Sequence, residues 1–386
     1  MVEKKVSVAV LGCGDRSRKV IGNLLEDSQR QVEIAAVYDP DASEMEFVKT
    51  TWQTPEAKSC PSAQEAIDFP GVEWVMIFSP NAFHHDQILA AFKAGKHVFS
   101  EKPIGTTMED CVSIYNAYRA SGRIFATGFV LRYAPLYRKA KELLDSGKFG
   151  RIISINADEN VSPHHGGYIM VNWRRNSILA GPHILEKCCH DLDLINWFCQ
   201  SRVSRVSSFG GRDFFVPENE WIHEKYGRGV FFKWRDPHAV ASPFTSDKDL
   251  MDNQVAIFEY RNHIRVQFQC TMSNPIPTRR MYFSCTEGTL ELDLYGQYIR
   301  YRLLGSDEEQ RISFKGADGH GGGDSYIMKE LFHTMLTGEE PKCSGNEGLE
   351  SAVVALAIDR AAKTGNVVDL EPVWTQLGRG KDNTDN

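Results

Sequence analysis

The sequence lacks several features that would each point to a particular class of protein. None of its nine cysteines forms a C-x-x-C pair, and their scattered spacing favours reduced thiols over a disulfide framework. No apolar run approaches the roughly 20 residues that a membrane helix needs. Basic residues are in deficit, with 44 Lys and Arg against 51 Asp and Glu, which argues against nucleic-acid binding. No signal-peptide pattern precedes the first predicted strand, so we expect a cytoplasmic protein without membrane or nucleic-acid partners.

A cluster of metal-ligand residue types, Cys188-Cys189-His190, is the nearest that the sequence comes to a metal site. Successive residues of a helix point about 100° apart, so two adjacent thiols cannot easily face one ion. The remaining Cys and His residues complete no zinc spacing. We therefore predict no metal and expect these cysteines to pack as small apolar side chains.

The N-terminal segment alternates strand, glycine turn, helix and strand. Val6–Leu11 is predicted as a strand, Gly12–Ser17 as a tight turn, and Arg18–Leu25, with apolar residues at helical spacing, as a helix. A second predicted strand, Val32–Tyr38, ends at Asp39. This order is that of a dinucleotide-binding βαβ unit.

The glycine turn supplies a candidate phosphate site. Gly12 permits the turn, and Gly14 lets the backbone approach a pyrophosphate at the positive end of the following helix. Ser17 stands where such motifs usually carry a third glycine, so the motif is incomplete. We predict cofactor contacts from Gly12, Gly14, Asp15 and Arg16.

Asp39 indicates which dinucleotide would bind. A carboxylate after the second strand accepts hydrogen bonds from the adenosine ribose and repels a 2′-phosphate. No Arg or Lys follows Asp39 before Lys49, so a positive partner for a 2′-phosphate is missing. The sequence therefore favours NAD over NADP.

Further alternation of strands and helices predicts a parallel sheet covered on both faces. Two more strand ends, Ser79-Pro80-Asn81 and Glu101-Lys102-Pro103, would lie with the glycine turn along one rim. The proline disfavours helix at Lys102, whose ammonium is then held where ligands bind in open α/β sheets. The other predicted elements are strands over Val72–Phe78, Val98–Ser100 and Ile124–Thr127 and helices over Ala63–Phe69, His84–Ala94 and Met108–Ser121.

A second domain follows, in which alternating strands are joined by short turns. This rhythm is typical of an antiparallel meander. We predict a Rossmann domain with a doubly wound parallel sheet over residues 1–127, then an α+β domain with an open, largely antiparallel sheet flanked by helices over 128–375, and a disordered tail over 376–386. Its predicted strands are Arg151–Asn160, Gln254–Tyr260, His263–Thr271, Met281–Thr286, Thr289–Leu294 and Gln297–Leu303, and its helices are Pro135–Ser146, Ile184–Cys199, Ser325–Thr337 and Leu349–Thr364.

These motifs resemble those of the Gfo/Idh/MocA family of nicotinamide-dependent oxidoreductases, over nearly the whole chain. The resemblance implies that Lys102 projects from the nucleotide domain toward the substrate, near the nicotinamide. It also implies a homodimer or homotetramer formed through the open face of the second sheet. We accordingly predict further cofactor contacts from Ser79, Pro80, Asn81, His84, Glu101 and Lys102. The matching segments are Ser79–His84, Ala94–Pro103, Trp173-Arg174, Gly181–Asp193 and Tyr326–Ala362.

The motif of the second domain departs from the family pattern at two positions. The family usually has Asp and Gly where this sequence has Glu186 and Cys188, whereas His190 and Asp193 match. Residues four apart share one face of a helix, so Glu186 and His190 can point into one site. Their neighbours are apolar nearly all round, and charged residues inside such a helix indicate a function.

The resemblance implies an NAD-dependent oxidoreductase acting on a secondary hydroxyl or ketone of a sugar, a sugar derivative or a cyclitol. We predict three catalytic residues: His190 takes the hydroxyl proton, Glu186 orients it, and Lys102 stabilises the developing alkoxide. Two alternatives stay open. One is a glycoside-cleaving enzyme that uses tightly bound NAD for transient oxidation and elimination, and the other is a non-catalytic NAD-binding regulator.

Substrate contacts are predicted from Lys102, His190, Trp173, Arg174 and Lys187. An aromatic plane beside a guanidinium suits a sugar ring, although aromatic residues more often belong to a core. Lys187 would either contact the substrate or form an ion pair within the helix core.

An aromatic segment over residues 209–246 shows no regular period. It includes Trp234 and Arg235 and would be either a covering lid or an interface arm. The glycine-rich loop from His320 to Asp324 precedes a predicted helix and would border the substrate pocket.

Overall fold

The computed structural model describes residues 5–232, 239–315 and 319–380. The chain divides into two compact units, and each is built from two segments. The first unit combines Met1–Ala134 with Gly322–Ala352, and the second combines Pro135–Gly321 with Val353–Asn386. Trp234, Arg235 and the last six residues of the predicted tail lie outside the described residues.

The first unit contains a parallel sheet whose six described strands run in the order β3-β2-β1-β4-β5-β6, which confirms the doubly wound Rossmann prediction. The central strands are buried on both faces because helices flank the sheet on either side. The strands are β1 (Val6–Leu11), β2 (Val32–Tyr38), β3 (Lys58–Ser59), β4 (Trp74–Ile77), β5 (His97–Ser100) and β6 (Phe125–Thr127), and the helices are α1 (Asp15–Asp27), α2 (Ala42–Trp52), α3 (Ala63–Ile67), α4 (His84–Lys93) and α5 (Met108–Ser121).

Helix α2 and strand β3 were not predicted. Asp41 begins α2 as a cap, since its side chain accepts a hydrogen bond from the Ser43 amide at 2.8 Å. The helix buries only Met45, Val48 and Trp52, so its apolar stripe is narrow and its periodicity is weak in the sequence.

The second unit contains a sheet whose nine described strands run in the order β14-β13-β12-β11-β7-β10-β9-β8-β15. The predicted open, largely antiparallel sheet is confirmed, but it is not a simple meander, because β7 and β10 pair in parallel. The strands up to residue 315 are β7 (Ile152–Asn160), β8 (Val203–Gly211), β9 (Asn253–Tyr260), β10 (Arg265–Thr271), β11 (Thr278–Cys285), β12 (Gly288–Asp293), β13 (Tyr298–Leu303) and β14 (Gln310–Ser313).

Helices cover one face of this second sheet. They precede residue 322, where the chain returns to the first unit. After residue 352 the chain re-enters the second unit, which a last strand and a last helix complete. The helices of the unit are α6 (Pro135–Asp145), α7 (Pro163–Val171), α8 (Ser177–Ala180), α9 (His183–Glu186), α10 (Cys189–Cys199), α11 (Glu220–Tyr226) and α12 (Arg228–Phe231), followed in the chain by α13 (Gly323–Thr337), α14 (Gly345–Thr364), β15 (Val368–Asp369) and α15 (Glu371–Gln376).

The other face of the second sheet exposes apolar side chains around an open depression of about 680 Å³. Alternation along β9 decides which residues face outward: Phe258 is buried at 4% exposure, whereas Ile257 is 62% exposed. The exposed apolar residues of this face, called here the open sheet face, are Phe209, Val255, Ile257, Tyr282 and Val367.

The single helix predicted over Ile184–Cys199 is wrong, because two turn residues separate α9 from α10. Lys187 and Cys188 keep right-handed backbone angles there. The thiol of Cys189 donates to the carbonyl oxygen of Glu186 at 3.8 Å, which occupies an acceptor that a continuous helix would use.

The predicted disordered tail contains two buried side chains among its described residues, Leu377 and Arg379. Arg379 is 8% exposed, and its amide donates to the carbonyl oxygen of Trp374 at 2.7 Å. Among the helices that the structure describes, none is long and apolar enough to span a membrane.

Candidate active site

The glycine turn between β1 and α1 is shaped for close backbone approach. Gly12 has a φ of +89°, and a Cβ there would lie 2.6 Å from the Ser79 amide nitrogen, so no other residue fits. A Cβ on Gly14 would enter open space at the start of α1. The turn therefore leaves room beside Gly14 for a pyrophosphate at the helix end, as NAD requires.

Asp39 fixes the glycine turn from the end of β2. Its Oδ2 accepts a hydrogen bond from the Cys13 amide at 2.8 Å, and its Oδ1 accepts one from the Asp41 amide at 2.9 Å. A half-buried carboxylate thus stands beside the turn, as predicted for a ribose ligand. Asp15, by contrast, is exposed and pairs with Arg18 at 2.9 Å.

His84 joins two of the predicted strand ends. Its Nδ1 lies 2.7 Å from the carbonyl oxygen of Pro103, and its Nε2 lies 2.8 Å from that of Ser79. Burial lowers the pKa of His84, although both carbonyl contacts act in the opposite direction. His84 therefore connects the turns that contain Ser79 and Pro103. The Ser79 hydroxyl donates a hydrogen bond to Oε1 of Gln87 at 2.7 Å.

Glu101 is occupied on both of its oxygens. Oε1 lies 2.5 Å from Nε of Arg16, and Oε2 accepts from the amide of Lys102 at 3.3 Å. Gly128 is required opposite, since a Cβ there would lie 2.9 Å from Oε2. The structure thus brings Gly12, Gly14, Arg16, Glu101 and half-buried Lys102 to one rim of the first sheet.

In the second unit, Glu186 is bound by Arg174. Nε of Arg174 donates to Oε1 of Glu186 at 2.9 Å, while Nη1 donates to the Tyr168 hydroxyl at 2.8 Å. The guanidinium also lies 4.3 Å from the ring centroid of Trp173. Glu186 is only 7% exposed, so this cation compensates a carboxylate that would otherwise be costly to bury.

Helix α7 contributes His165 and Tyr168, which sequence reasoning missed. Burial lowers the pKa of His165 well below its ordinary value, and the nearby Lys187 ammonium adds to this. The pKa of His165 also responds to Glu186 and Arg174, so the imidazole belongs to the same cluster. A His-x-x-Tyr spacing before Trp173 was the only signal that could have indicated this pair.

Lys187 takes part in a buried ion-pair network. Its ammonium lies 3.6 Å from Oε1 of Glu159, whose other oxygen lies 2.6 Å from Nε of Arg279. Arg279 in turn forms a bidentate ion pair with Asp191: Nε donates to Oδ1 at 2.8 Å and Nη2 donates to Oδ2 at 2.7 Å. Of the two alternatives predicted for Lys187, the ion pair is the one that the structure shows.

His190 lies in the first turn of α10 and is 3% exposed. Its neighbour Asp191 is held by Arg279, which fixes the start of the helix against β11. The ring of His190 lies 5.7 Å from that of His320, centroid to centroid. His320 is half-buried and lies near His190, and the role of its loop at the border of the substrate pocket stays a prediction.

Among the described residues, His183, Cys188 and Cys270 place three metal-ligand atoms within 4.8 Å of one another. Burial raises the pKa of Cys188 well above its ordinary value, whereas a metal ligand must be a thiolate. The Cys188 sulfur lies 4.0 Å from Nε2 of His183 and packs in the core at 0% exposure. The three side chains pack together in the core, and the absence of a metal stays a prediction.

The segment over residues 209–246 begins inside β8 and then packs on α7 through aromatic rings. Phe215, Phe231 and Phe244 form a buried cluster with Ile169 and Met170 of α7. Phe232 stacks on Tyr168 with ring centroids 6.5 Å apart and an interplanar angle of 5°. The described residues of the segment therefore pack against α7 and Tyr168, and Trp234 and Arg235 lie beyond the part that the structure describes.

The glycine turn, Asp39 and the strand ends beside them are typical of an NAD-binding oxidoreductase domain. Matches to two family models agree with this assignment. Residues 6–129 match the model described as the oxidoreductase family with an NAD-binding Rossmann fold. Residues 137–291 match the model of the GFO/IDH/MocA C-terminal domain. The chain belongs to the Gfo/Idh/MocA family, which confirms the resemblance and the predicted cofactor, NAD.

Individual relatives carry sugar and cyclitol names. The chain is 24% identical over 378 residues to the oxidoreductase YteT of Bacillus subtilis (strain 168), covering 84% of this chain and 88% of that protein. It is 28% identical over 215 residues to an inositol 2-dehydrogenase of Acidothermus cellulolyticus, covering 54% and 58% respectively. A solved levoglucosan dehydrogenase in complex with NADH and levoglucosan has a TM-score of 0.78 at 16% identity, covering 95% of this chain and 99% of that chain. That likeness shows the fold.

Proposed function

We propose that the protein is an NAD-dependent dehydrogenase that acts on a secondary hydroxyl, or the corresponding ketone, of a sugar, a sugar derivative or a cyclitol. The observation that carries the proposal is the ion pair of buried Glu186 with half-buried Arg174, with His165 and Lys187 nearby. Many donors and acceptors in one place suit a polyhydroxylated ring. The sugar and cyclitol names of the relatives support the same substrate class.

In the proposed reaction, residues of the first unit bind NAD and stabilise charge, and residues of the second unit move the proton. NAD, when bound at the glycine turn, supplies the hydride acceptor. His190 takes the hydroxyl proton as the general base, and Glu186, paired with Arg174, orients the substrate hydroxyl or the imidazole. Lys102 donates a hydrogen bond to the reacting oxygen and stabilises its developing negative charge.

Glu186, which is one methylene longer than the aspartate usual in the family, has a partner of its own in the proposed site. Arg174 reaches Glu186 from the preceding segment and holds it at 2.9 Å, so the extra methylene is matched by a dedicated partner. Trp173 then backs the guanidinium, which leaves its aromatic plane half-buried. Trp173 and Arg174 would line the substrate pocket from these positions, and Lys187 would do so while its ammonium also pairs with Glu159.

The testing experiment is an NADH-absorbance screen over monosaccharides, cyclitols and keto-sugars with the wild-type protein and two pairs of variants. Lys102→Met and His190→Asn should each abolish turnover and leave the NADH dissociation constant nearly unchanged. Their controls, Lys93→Met and His333→Asn, change exposed residues and should keep wild-type turnover. Normal kcat in Lys102→Met or His190→Asn would refute the catalytic assignment, and no NADH with any substrate class would refute the function.

A further inference from the structure

The guanidinium of Arg16 lies between two carboxylates of the first unit. Nε contacts Oε1 of Glu101 at 2.5 Å, and Nη1 contacts Oδ1 of Asp324 at 2.7 Å. Asp324 is in the first turn of α13 and is 2% exposed, so it is a buried charge that needs partners. Sequence reasoning assigned Arg16 to the cofactor, but the structure commits its side chain to Glu101 and Asp324.

Asp324 also pairs with a second cation of helix α1, Lys19. Its Oδ2 lies 2.7 Å from Nζ of Lys19, which is three residues after Arg16 on α1. One carboxylate therefore fixes two successive turns of the helix that begins at the glycine turn. The four charges of Arg16, Lys19, Glu101 and Asp324 sum to zero, so none of them is left uncompensated beside the pyrophosphate position.

Glu101 links these ion pairs to the backbone of Lys102. Glu101 receives Arg16 on Oε1 and the Lys102 amide on Oε2, so the orientation of its carboxylate fixes the backbone that carries the ammonium. Helix α13 cannot shift away from this arrangement easily, because Gly323 packs so closely that a Cβ would lie 2.1 Å from the Val130 carbonyl oxygen. Asp324 is thereby held where it can keep Arg16 on Glu101.

We propose that Asp324 is a positioning residue for Lys102, acting through Arg16 and Glu101. The inference rests on the proposed role of Lys102. Asp324 keeps the guanidinium turned toward Glu101; without its charge, Arg16 is free to turn toward the pyrophosphate at the start of α1. Loss of Asp324 should therefore impair the chemical step while NADH binding is kept or strengthened, which a merely structural role would not produce.

The experiment compares Asp324→Asn with Lys329→Met in the full chain. Lys329→Met is the matched control, because it removes the other described ion pair between α1 and α13, Lys329 with Asp27 at 3.8 Å. Three quantities are measured: the NADH dissociation constant by fluorescence, the labelling rate of Lys102 by an amine reagent in the cofactor-free protein, and kcat on the substrate found in the screen. Asp324→Asn should lower kcat by about tenfold or more.

The same variant should label Lys102 about threefold faster, because the released turn exposes the ammonium, and its NADH dissociation constant should stay equal or fall. Lys329→Met should match wild type in all three measurements. Arg16→Lys is the second variant, since a lysine cannot bridge two carboxylates in the same way, and it should show the same kcat loss and faster labelling.

Unchanged Lys102 labelling in both Asp324→Asn and Arg16→Lys would overturn the inference, whatever the substrate proves to be. A weaker NADH affinity that falls in step with kcat would also overturn it, because that pattern indicates general damage to the fold. Failure of the proposed function is a separate result, namely no NADH production by the wild-type protein, and the labelling measurement does not depend on it.

Discussion

Nε of Arg174 lies 2.9 Å from Oε1 of Glu186, so the carboxylate that departs from the family pattern is held by a residue 12 positions earlier in the chain. The same guanidinium reaches the Tyr168 hydroxyl and covers the Trp173 ring. A single arginine thus connects three side chains of the candidate substrate site, and its removal should affect the substrate rather than the cofactor.

Arg174→Met should lower kcat/KM by about tenfold to a hundredfold, because buried Glu186 loses its counter-charge and its fixed orientation. The NADH dissociation constant should not change. The adjacent Arg175→Met is the control, since Arg175 pairs instead with the exposed Asp247 at 2.6 Å. Equal kinetics for the two variants, measured by steady-state NADH absorbance, would show that Arg174 does not position Glu186.

Asp39→Asn should relax the preference for NAD. A neutral amide no longer repels a 2′-phosphate, so the ratio of the NADP to the NAD dissociation constant should fall by about tenfold. Glu33→Gln is the charge-matched control at the other, amino-terminal end of the same strand, where the side chain is exposed. Fluorescence titration with both reduced cofactors measures the ratio, and an unchanged ratio in Asp39→Asn would contradict the role of Asp39.

The open sheet face should be covered by a second copy of the chain. Its residues, among them Phe209 at 71% and Ile257 at 62% exposure, form an apolar surface of the kind that monomers rarely leave in water. Ile257→Asp should therefore shift a dimer or tetramer toward monomer in sedimentation velocity. Ile276→Asp, at an 83% exposed position outside the strands, should not. A monomeric wild-type protein would contradict this prediction.

Stability should fall as the pH drops below about 6.5, the ordinary pKa of histidine. The pKa of His165 is lowered in the folded protein, so the unfolded chain takes up a proton there that the folded chain refuses. His84 acts with the same sign. His165→Asn should flatten the decrease of Tm between pH 6.5 and 5, whereas exposed His333→Asn should not. Equal slopes for the two variants would argue against a neutral His165.

Local patterns predicted the elements whose burial is regular. The bounds of β2 were predicted as the structure has them, because it is a short, mostly apolar run bounded by polar residues on both sides. Helix α7 was missed, since Gly166 and Gly167 disfavour a helix locally. Packing requires both: a Cβ would lie 1.9 Å from the Met272 carbonyl oxygen at one and 1.8 Å from that of Phe231 at the other.

The candidate site was predictable only where a family motif marks it. Glu186, His190 and Lys102 could be proposed from the sequence because their motifs are contiguous. Arg279 was not, although it is 1% exposed and pairs with Asp191, because 88 positions separate the two. No periodicity or spacing rule connects such residues; only the pairing of β11 beside β7 and the packing of α10 bring them together.

The return of residues 322–352 to the first unit limits how the protein can be recombined. A chimaera that takes only residues 5–134 from this chain would give Arg16 and Glu101 a foreign α13, with no guarantee of an acid at position 324. Exchange of cofactor modules between relatives therefore requires three simultaneous crossovers, after residues 134, 321 and 352, for the transplanted module to keep its own charge balance.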